Sequence, residues 1–456
     1  MQSELAIAGA TSPLLEPDSL PSAARSIAVS DLKSDRMAEI MRVISSSELR
    51  SKMRKRACSG DLRTADFDSQ IQGLSEFGEA YLPLGETVTF AAQVLAKIRQ
   101  VYRAKNFGSE EFRLYFHAMS KVMSGGRLPP VPSCVATISE TGFWLTGPSG
   151  MGRTATLKRL AEILGKPFMV EGNHPAPRRM WITPILFLTY PTCGTRAGLL
   201  RDMRMRVLAD IGTHATDSNA LSDLERDDEE AAIALCTLLN VGLVVVDGAG
   251  WNCVNGHTQR IFSFLLKLRQ FSGVPVLVSG TSAFMHSASY MGNIATNLFN
   301  GPGLHIGPPK PPVKKDDDGS VPKSQGVWTQ MVSWLWKEGF LPKNCEMPAG
   351  LPEWLYEASM GRFRWLVQGF KALHIALLSN AELQKPGVLT ESLVKHIFNA
   401  TLQLHNGARI AISLMEGGPT GKGKLQFLKN LDHCSTADFS YAQVEDWLDE
   451  AILKRV

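Results

Sequence analysis

The apolar run Gly142-Phe143-Trp144-Leu145-Thr146 leads directly into Gly147-Pro148-Ser149-Gly150-Met151-Gly152-Arg153-Thr154. The run reads as a buried strand. From Thr154 to Leu164, the apolar residues Leu157, Leu160, Ala161 and Leu164 fall on one helical face, so a helix follows the loop. Strand, glycine-rich turn and helix in that order constrain the chain to an α/β domain whose turn aims backbone N–H groups at phosphate. The spacing is that of a Walker A loop with one departure: Arg153 stands where lysine belongs. Arginine keeps the charge but is planar, bulkier and forked, so it does not simply inherit lysine's place.

The rest of the chain supports this reading. Between 142 and about 307, strand-like runs alternate with helical patterns: 142–146, 182–190, 241–247, 274–280 and a short run at 304–306. Such alternation predicts a parallel sheet with helices on both faces. The predicted organisation is a disordered arm at 1–35, a helical extension at 36–135 and an α/β core at 136–307. A linker or loop at 308–326, a helical lid at 327–418 and a tail at 419–456 with a short helix at 444–453 complete it. In the lid, Phe363, Leu366, Val367 and Phe370 repeat at helical spacing.

A second element of the site is Leu243-Val244-Val245-Val246-Asp247-Gly248-Ala249. An aspartate ending a buried strand suits a Walker B position that organises magnesium, with the Thr154 hydroxyl as the other ligand. In AAA+ enzymes a glutamate usually follows and polarises the attacking water. Here Gly248 follows, and no Asp or Glu occurs from 248 to 315, so no catalytic residue is assigned. The third element, Val274-Pro275-Val276-Leu277-Val278-Ser279-Gly280-Thr281, ends in Thr281, a candidate sensor-1 residue, with Ser279 as runner-up. The fourth, Gly361-Arg362-Phe363-Arg364, opens a lid helix and offers Arg364 as the arginine that reaches a nucleotide phosphate. No arginine lies between Arg269 and Arg362, which leaves only Arg260 and Arg269 as candidate arginine fingers. Loss of lysine, glutamate and finger together predicts weak or absent ATP turnover.

Composition narrows the class further. A net charge of +4 permits contact with nucleic acid without requiring it, so any DNA contact must come from local patches. Seven scattered cysteines with no CxxC pair predict reduced thiols in a cytoplasmic protein rather than a disulfide framework or zinc site. No apolar segment reaches the roughly 18 residues a membrane span needs.

The order of these motifs, with Gly273-Val274-Pro275-Val276-Leu277-Val278-Ser279-Gly280-Thr281 and the tryptophan-rich 327–336 segment, resembles the TniB/TnsC family of AAA+ transposition regulators over residues 80 to 415. The resemblance implies an AAA+ P-loop core with a helical lid. It also implies binding of ATP and Mg2+ by Gly147, Pro148, Ser149, Gly150, Met151, Gly152, Arg153, Thr154, Asp247, Thr281 and Arg364. It further implies an oligomer on DNA, formed by one chain or mixed with a paralogue, that links a transposase to a target-selection protein. By the same likeness, Arg196, Arg201 and Arg204, on the helix after the second core strand, would meet DNA backbone phosphates without sequence preference. Two alternatives stay open: an active ATPase that uses Arg153 in lysine's place, and an interaction scaffold indifferent to nucleotide.

Overall fold

The core of the molecule is a five-stranded parallel sheet in the order β4-β5-β6-β1-β7. Its strands are β1 (Gly142–Thr146), β4 (Leu186–Thr189), β5 (Val244–Ala249), β6 (Val276–Gly280) and β7 (Gly303–His305). A separate antiparallel hairpin joins β2 (Phe168–Glu171) to β3 (Arg179–Ile182). The computed structural model describes residues 34–56, 62–105, 107, 109–136, 142–171, 179–211, 228–289, 291–312, 326–339, 345–415 and 429–434. Most of the arm expected at 1–35, most of the linker at 308–326 and the short helix at 444–453 lie outside the described residues.

Strand alternation explains the two-faced core. Val244, Val246, Val276 and Val278 project into one apolar cluster; Leu243, Val245, Leu277, Phe143 and Leu145 project into the other. Both faces are therefore dry, as a parallel sheet requires. The N-terminal extension takes part on both sides. The helix Gly85–Lys105 brings Val88, Phe90, Val94 and Ile98 to the second cluster, with the Phe90 ring edge-on to Phe143 at 6.2 Å. The helix Glu110–Met123 brings Tyr115, Met119 and Val122 to the first.

Two expected elements divide. The 182–190 run breaks at Thr183-Pro184: proline cannot donate to a ladder, so the segment before it pairs with β2 and the segment after it becomes β4. The helical stretch 352–379 is two helices, Leu351–Ser359 and Phe363–Ser379. Met360 ends the first in the left-handed region at φ 52°.

Those two helices, with Val327–Glu338, Glu391–Thr401 and Asn406–Met415, form the lid. Trp328, Leu335, Leu355, Leu366, Phe370, Val394 and Phe398 fill its core. The lid is not free of the N-terminal extension, because Leu74 and Phe77 belong to the same cluster and the Phe77 ring stacks on Phe370 at 6.0 Å.

His374 sits fully buried in that lid core, one ring nitrogen 2.9 Å from the Phe370 carbonyl. Burial pushes its pKa down from 6.5 to about 4, because charging an imidazole there costs solvation. A depressed folded-state pKa means the stabilisation is complete above the unfolded value and is lost as pH falls. The lid should therefore weaken between about pH 6.5 and pH 4, by roughly 2–4 kcal/mol. Urea titrations across that range should show the slope, and His374→Phe should flatten it; His433, held near 4 as well, would leave a residual slope. An identical pH dependence in His374→Phe contradicts this assignment.

Candidate functional site

The site lies at the carboxyl ends of β1, β5 and β6, where a doubly wound sheet leaves a crevice. Gly147 begins the loop at φ 152°, and a Cβ there would sit 2.3 Å from the Ile306 carbonyl oxygen. No larger residue fits. The loop ends where the helix Arg153–Leu164 begins, so its amides lie beside the positive end of the helix dipole, where an anion is favoured.

From this helix the Thr154 hydroxyl donates to Asp247 Oδ2 at 2.7 Å. Asp247 is 6% exposed, and its Oδ1 has no hydrogen-bond partner among the described residues. A buried carboxylate oxygen left without a donor is costly and suits a cation held with Thr154.

Beside Asp247 the β5–β6 ladder slips. Val246 faces Val278 but Ala249 faces Gly280, so β5 carries one extra residue. Gly248 occupies that bulge at φ 89°. Nothing within 4 Å would touch a Cβ there, so the constraint is the backbone rather than space. The absence of glutamate at 248 thus has a local cause: side chains rarely adopt this conformation.

Thr281 is 4% exposed, and its amide donates to the Ala249 carbonyl at 2.8 Å, which ties the end of β6 to the end of β5. Its hydroxyl donates to Asp432 Oδ1 at 2.6 Å. Asp432 is 151 residues away in sequence and had no signal in the pattern of the chain. The same oxygen accepts from the Trp251 amide at 2.6 Å, and the Asp432 carbonyl accepts from the Ser149 amide of the loop at 2.6 Å. A second carboxylate is therefore brought to a centre where the β5 end supplies only Asp247. Ser279, the runner-up to Thr281, is fully buried in β6 with a hydroxyl that has no partner among the described residues.

Arg153 is half-buried, and its Nη1 has no hydrogen-bond partner among the described residues. Burial lowers its pKa, while the charges of Asp247 and Asp432 pull it back up; a guanidinium stays protonated in either case. The two lid arginines differ. Arg364 is exposed beside the loop, with its backbone amide donating to the Gly150 carbonyl at 2.9 Å. Arg362 is 1% exposed and turns inward, with Nη2 donating to the His433 carbonyl at 2.8 Å and Nη1 lying 3.9 Å from Met151 Sδ. The break at Met360 sets this division, because it makes Arg362 the cap of the helix and Arg364 its second residue.

Next to the loop is a cavity of about 510 Å³ lined by residues 149–156 together with Tyr81, Leu84, Ile306, Met331, Phe363 and Val367. Its size and apolar walls suit a planar base. The Tyr81 hydroxyl is hydrogen-bonded to Thr156 Oγ1 at 2.8 Å, which joins the N-terminal extension to the loop helix. The cradle, the Thr154–Asp247 pair with its unsatisfied oxygen and the adjoining cavity together fit a magnesium-bound nucleoside triphosphate.

The remaining candidates lie elsewhere. Arg269 is buried and donates to Asn300 Oδ1 at 3.0 Å, so it is spent within the chain, whereas Arg260 is exposed. Arg196, Arg201 and Arg204 lie on the helix Arg196–Ile211. Arg196 pairs with Glu229, Arg201 is exposed, and Arg204 is half-buried. Asp228 caps the helix Glu229–Leu238, which carries the Glu229 partner of Arg196.

The sheet order, the loop after β1, the aspartate of β5 and the helical unit that follows make this a parallel α/β core of P-loop topology with a helical lid. No protein-family model and no curated protein matches the chain. Among solved structures, the chain is similar to a Walker-type ATPase of Pyrococcus abyssi, at 13% identity and TM-score 0.38, over 70% of this chain and 85% of that one. It is also similar to the Aeropyrum pernix ORC1 protein in complex with DNA, at 13% identity and TM-score 0.36, over 75% of this chain and 81% of that one. A third is NtrX from Brucella abortus in complex with ADP, at 13% identity and TM-score 0.29, over 85% of this chain and 81% of that one. These likenesses are remote, and the fold is established by the topology of the chain itself.

The bulge yields a direct expectation. Gly248→Glu should cost roughly 1–2 kcal/mol of stability through its positive φ, and Gly248→Ala should cost a similar amount. Denaturant midpoints measure both. A Gly248→Glu chain as stable as the parent would show that the bulge relaxes freely.

Proposed function

We propose that this protein is an AAA+ nucleotide switch, able to bind ATP with Mg2+ but impaired in hydrolysis. It assembles on DNA as a transposition regulator of the kind the sequence resembles. The observation that carries the nucleotide reading is the Thr154–Asp247 pair: a hydroxyl and a buried carboxylate with one unsatisfied oxygen, at the foot of a phosphate cradle. When bound, magnesium would supply charge neutralisation across the phosphates. Gly147 to Thr154 would hold those phosphates through backbone amides, and Arg153 would add a fixed positive charge. The lid would close over the base through Phe363 and Val367, with Arg364 at the edge of the loop.

What supports impaired turnover is the bulge at Gly248, which disfavours a glutamate, together with the internal use of Arg269. Support for DNA comes from the sequence resemblance and from the exposed Arg201. The likeness also supplies the bridging role between a target-selection protein and a transposase, in an oligomer of this chain or one shared with a paralogue.

Thermal unfolding with and without MgATP tests the nucleotide reading. Stabilisation should reach about 2.7 kcal/mol at one hundred times Kd, survive Arg153→Lys and vanish in Asp247→Ala. Steady-state turnover should be negligible; a rate like that of active AAA+ enzymes contradicts the impaired site. DNA affinity should fall with salt, and replacing Arg201 and Arg204 by alanine should reduce the log–log slope by roughly 0.9 per lost phosphate contact. An unchanged slope removes those arginines from the interface.

A further inference from the structure

We infer that the segment 429–434 is an internal occupant of the terminal-phosphate end of this site, and that a nucleoside triphosphate binds by displacing it. The inference rests on the nucleotide reading and concerns how the site is controlled.

The segment is held from every side of the crevice. Its Asp432 carbonyl takes the Ser149 amide of the phosphate loop, and its Asp432 carboxylate takes the Thr281 hydroxyl and the Trp251 amide, all at 2.6 Å. From the lid, Arg362 donates to the His433 carbonyl at 2.8 Å, and Trp365 stacks on the His433 ring at 5.7 Å. Leu431 and Cys434 are fully buried in the sheet-side core and anchor the two ends of this short turn. Gly250 leaves room for it, since a Cβ at 250 would lie 3.0 Å from Asp432 Oδ2.

The chemistry of these contacts is that of phosphate recognition. A loop amide, a hydroxyl at the end of β6 and a nearby guanidinium are donors suited to phosphate oxygens. Here they meet a peptide carbonyl and a carboxylate. The position distinguishes the end of the nucleotide concerned. The apolar cavity touches the loop at 149–156 but not Trp251, Thr281 or Asp432. With a base in that cavity, the phosphates run along the loop, and the last of them arrives at Asp432. There it needs the same donors and faces a like charge, which disfavours both remaining together. A diphosphate stops short of this end and tolerates the segment. Displacing it would also free Arg362 and Trp365, so the occupancy of the terminal position is coupled to the attachment of the lid.

The test compares a non-hydrolysable ATP analogue with ADP, each with magnesium, by calorimetric titration of the full chain and of Asp432→Asn. The substitution is nearly isosteric: it removes the charge and turns one acceptor oxygen into an NH2 donor, while the other oxygen can still accept from Thr281 and Trp251. The variant should bind the triphosphate analogue roughly tenfold more tightly, a change of 1.4 kcal/mol, with ADP affinity changed less than about threefold. On the unaltered chain, amide hydrogen exchange of 429–434 should accelerate on adding the triphosphate and stay slow with ADP. Equal triphosphate affinity in both chains, with 429–434 still protected, overturns the inference and leaves nucleotide binding intact. Turnover lost in Asp432→Asn at unchanged affinity also overturns it, because Asp432 would then be acting on the bound nucleotide. Absence of binding by both nucleotides in both chains overturns the nucleotide reading itself.

Discussion

The 2.7 Å hydrogen bond from Thr154 to Asp247 is the point on which the site turns. It joins the first turn of the loop helix to the end of β5, and so fixes the phosphate cradle against the sheet. Its two residues come from elements on either side of β6, so the bond exists only if β1, β6 and β5 are neighbours in that order. The dry valine and leucine rows on both faces of the sheet hold that order. The packed core thus determines where one hydroxyl meets one carboxylate.

Around that bond the residues at 248, 269 and 153 depart from the expected motif pattern, and each departure has its own cause. At 248 the cause is backbone geometry: an extra residue in β5 forces a positive φ. At 269 it is packing, because the guanidinium is committed to Asn300 and the Leu298 carbonyl. At 153 it is side-chain chemistry, with a fork in place of a point charge. None of these removes the cradle.

Much of this was readable along the chain, and the limits of that reading are physical. The strand–loop–helix at 142–164 and the aspartate at 247 were legible because period and punctuation agree locally. The hairpin of β2 and β3 was not, since the 182–190 run is largely apolar on both sides of Pro184 and only that proline marks the division. Of the two arginines in Gly361-Arg362-Phe363-Arg364, sequence favoured Arg364. The left-handed Met360 ends the preceding helix there, and it is Arg362 that turns inward. Asp432 was invisible: Asn430-Leu431-Asp432-His433-Cys434 carries no motif, and its meaning comes entirely from the residues that fold around it.

The cradle at 147–154 is proposed to hold a magnesium-bound nucleotide. Equilibrium dialysis of labelled ATP against the full chain, with magnesium and then with a chelator, tests this most directly. One nucleotide bound per chain, released when magnesium is removed, is the result expected of the Thr154–Asp247 pair. No retention at millimolar ATP, or retention indifferent to magnesium, would contradict it.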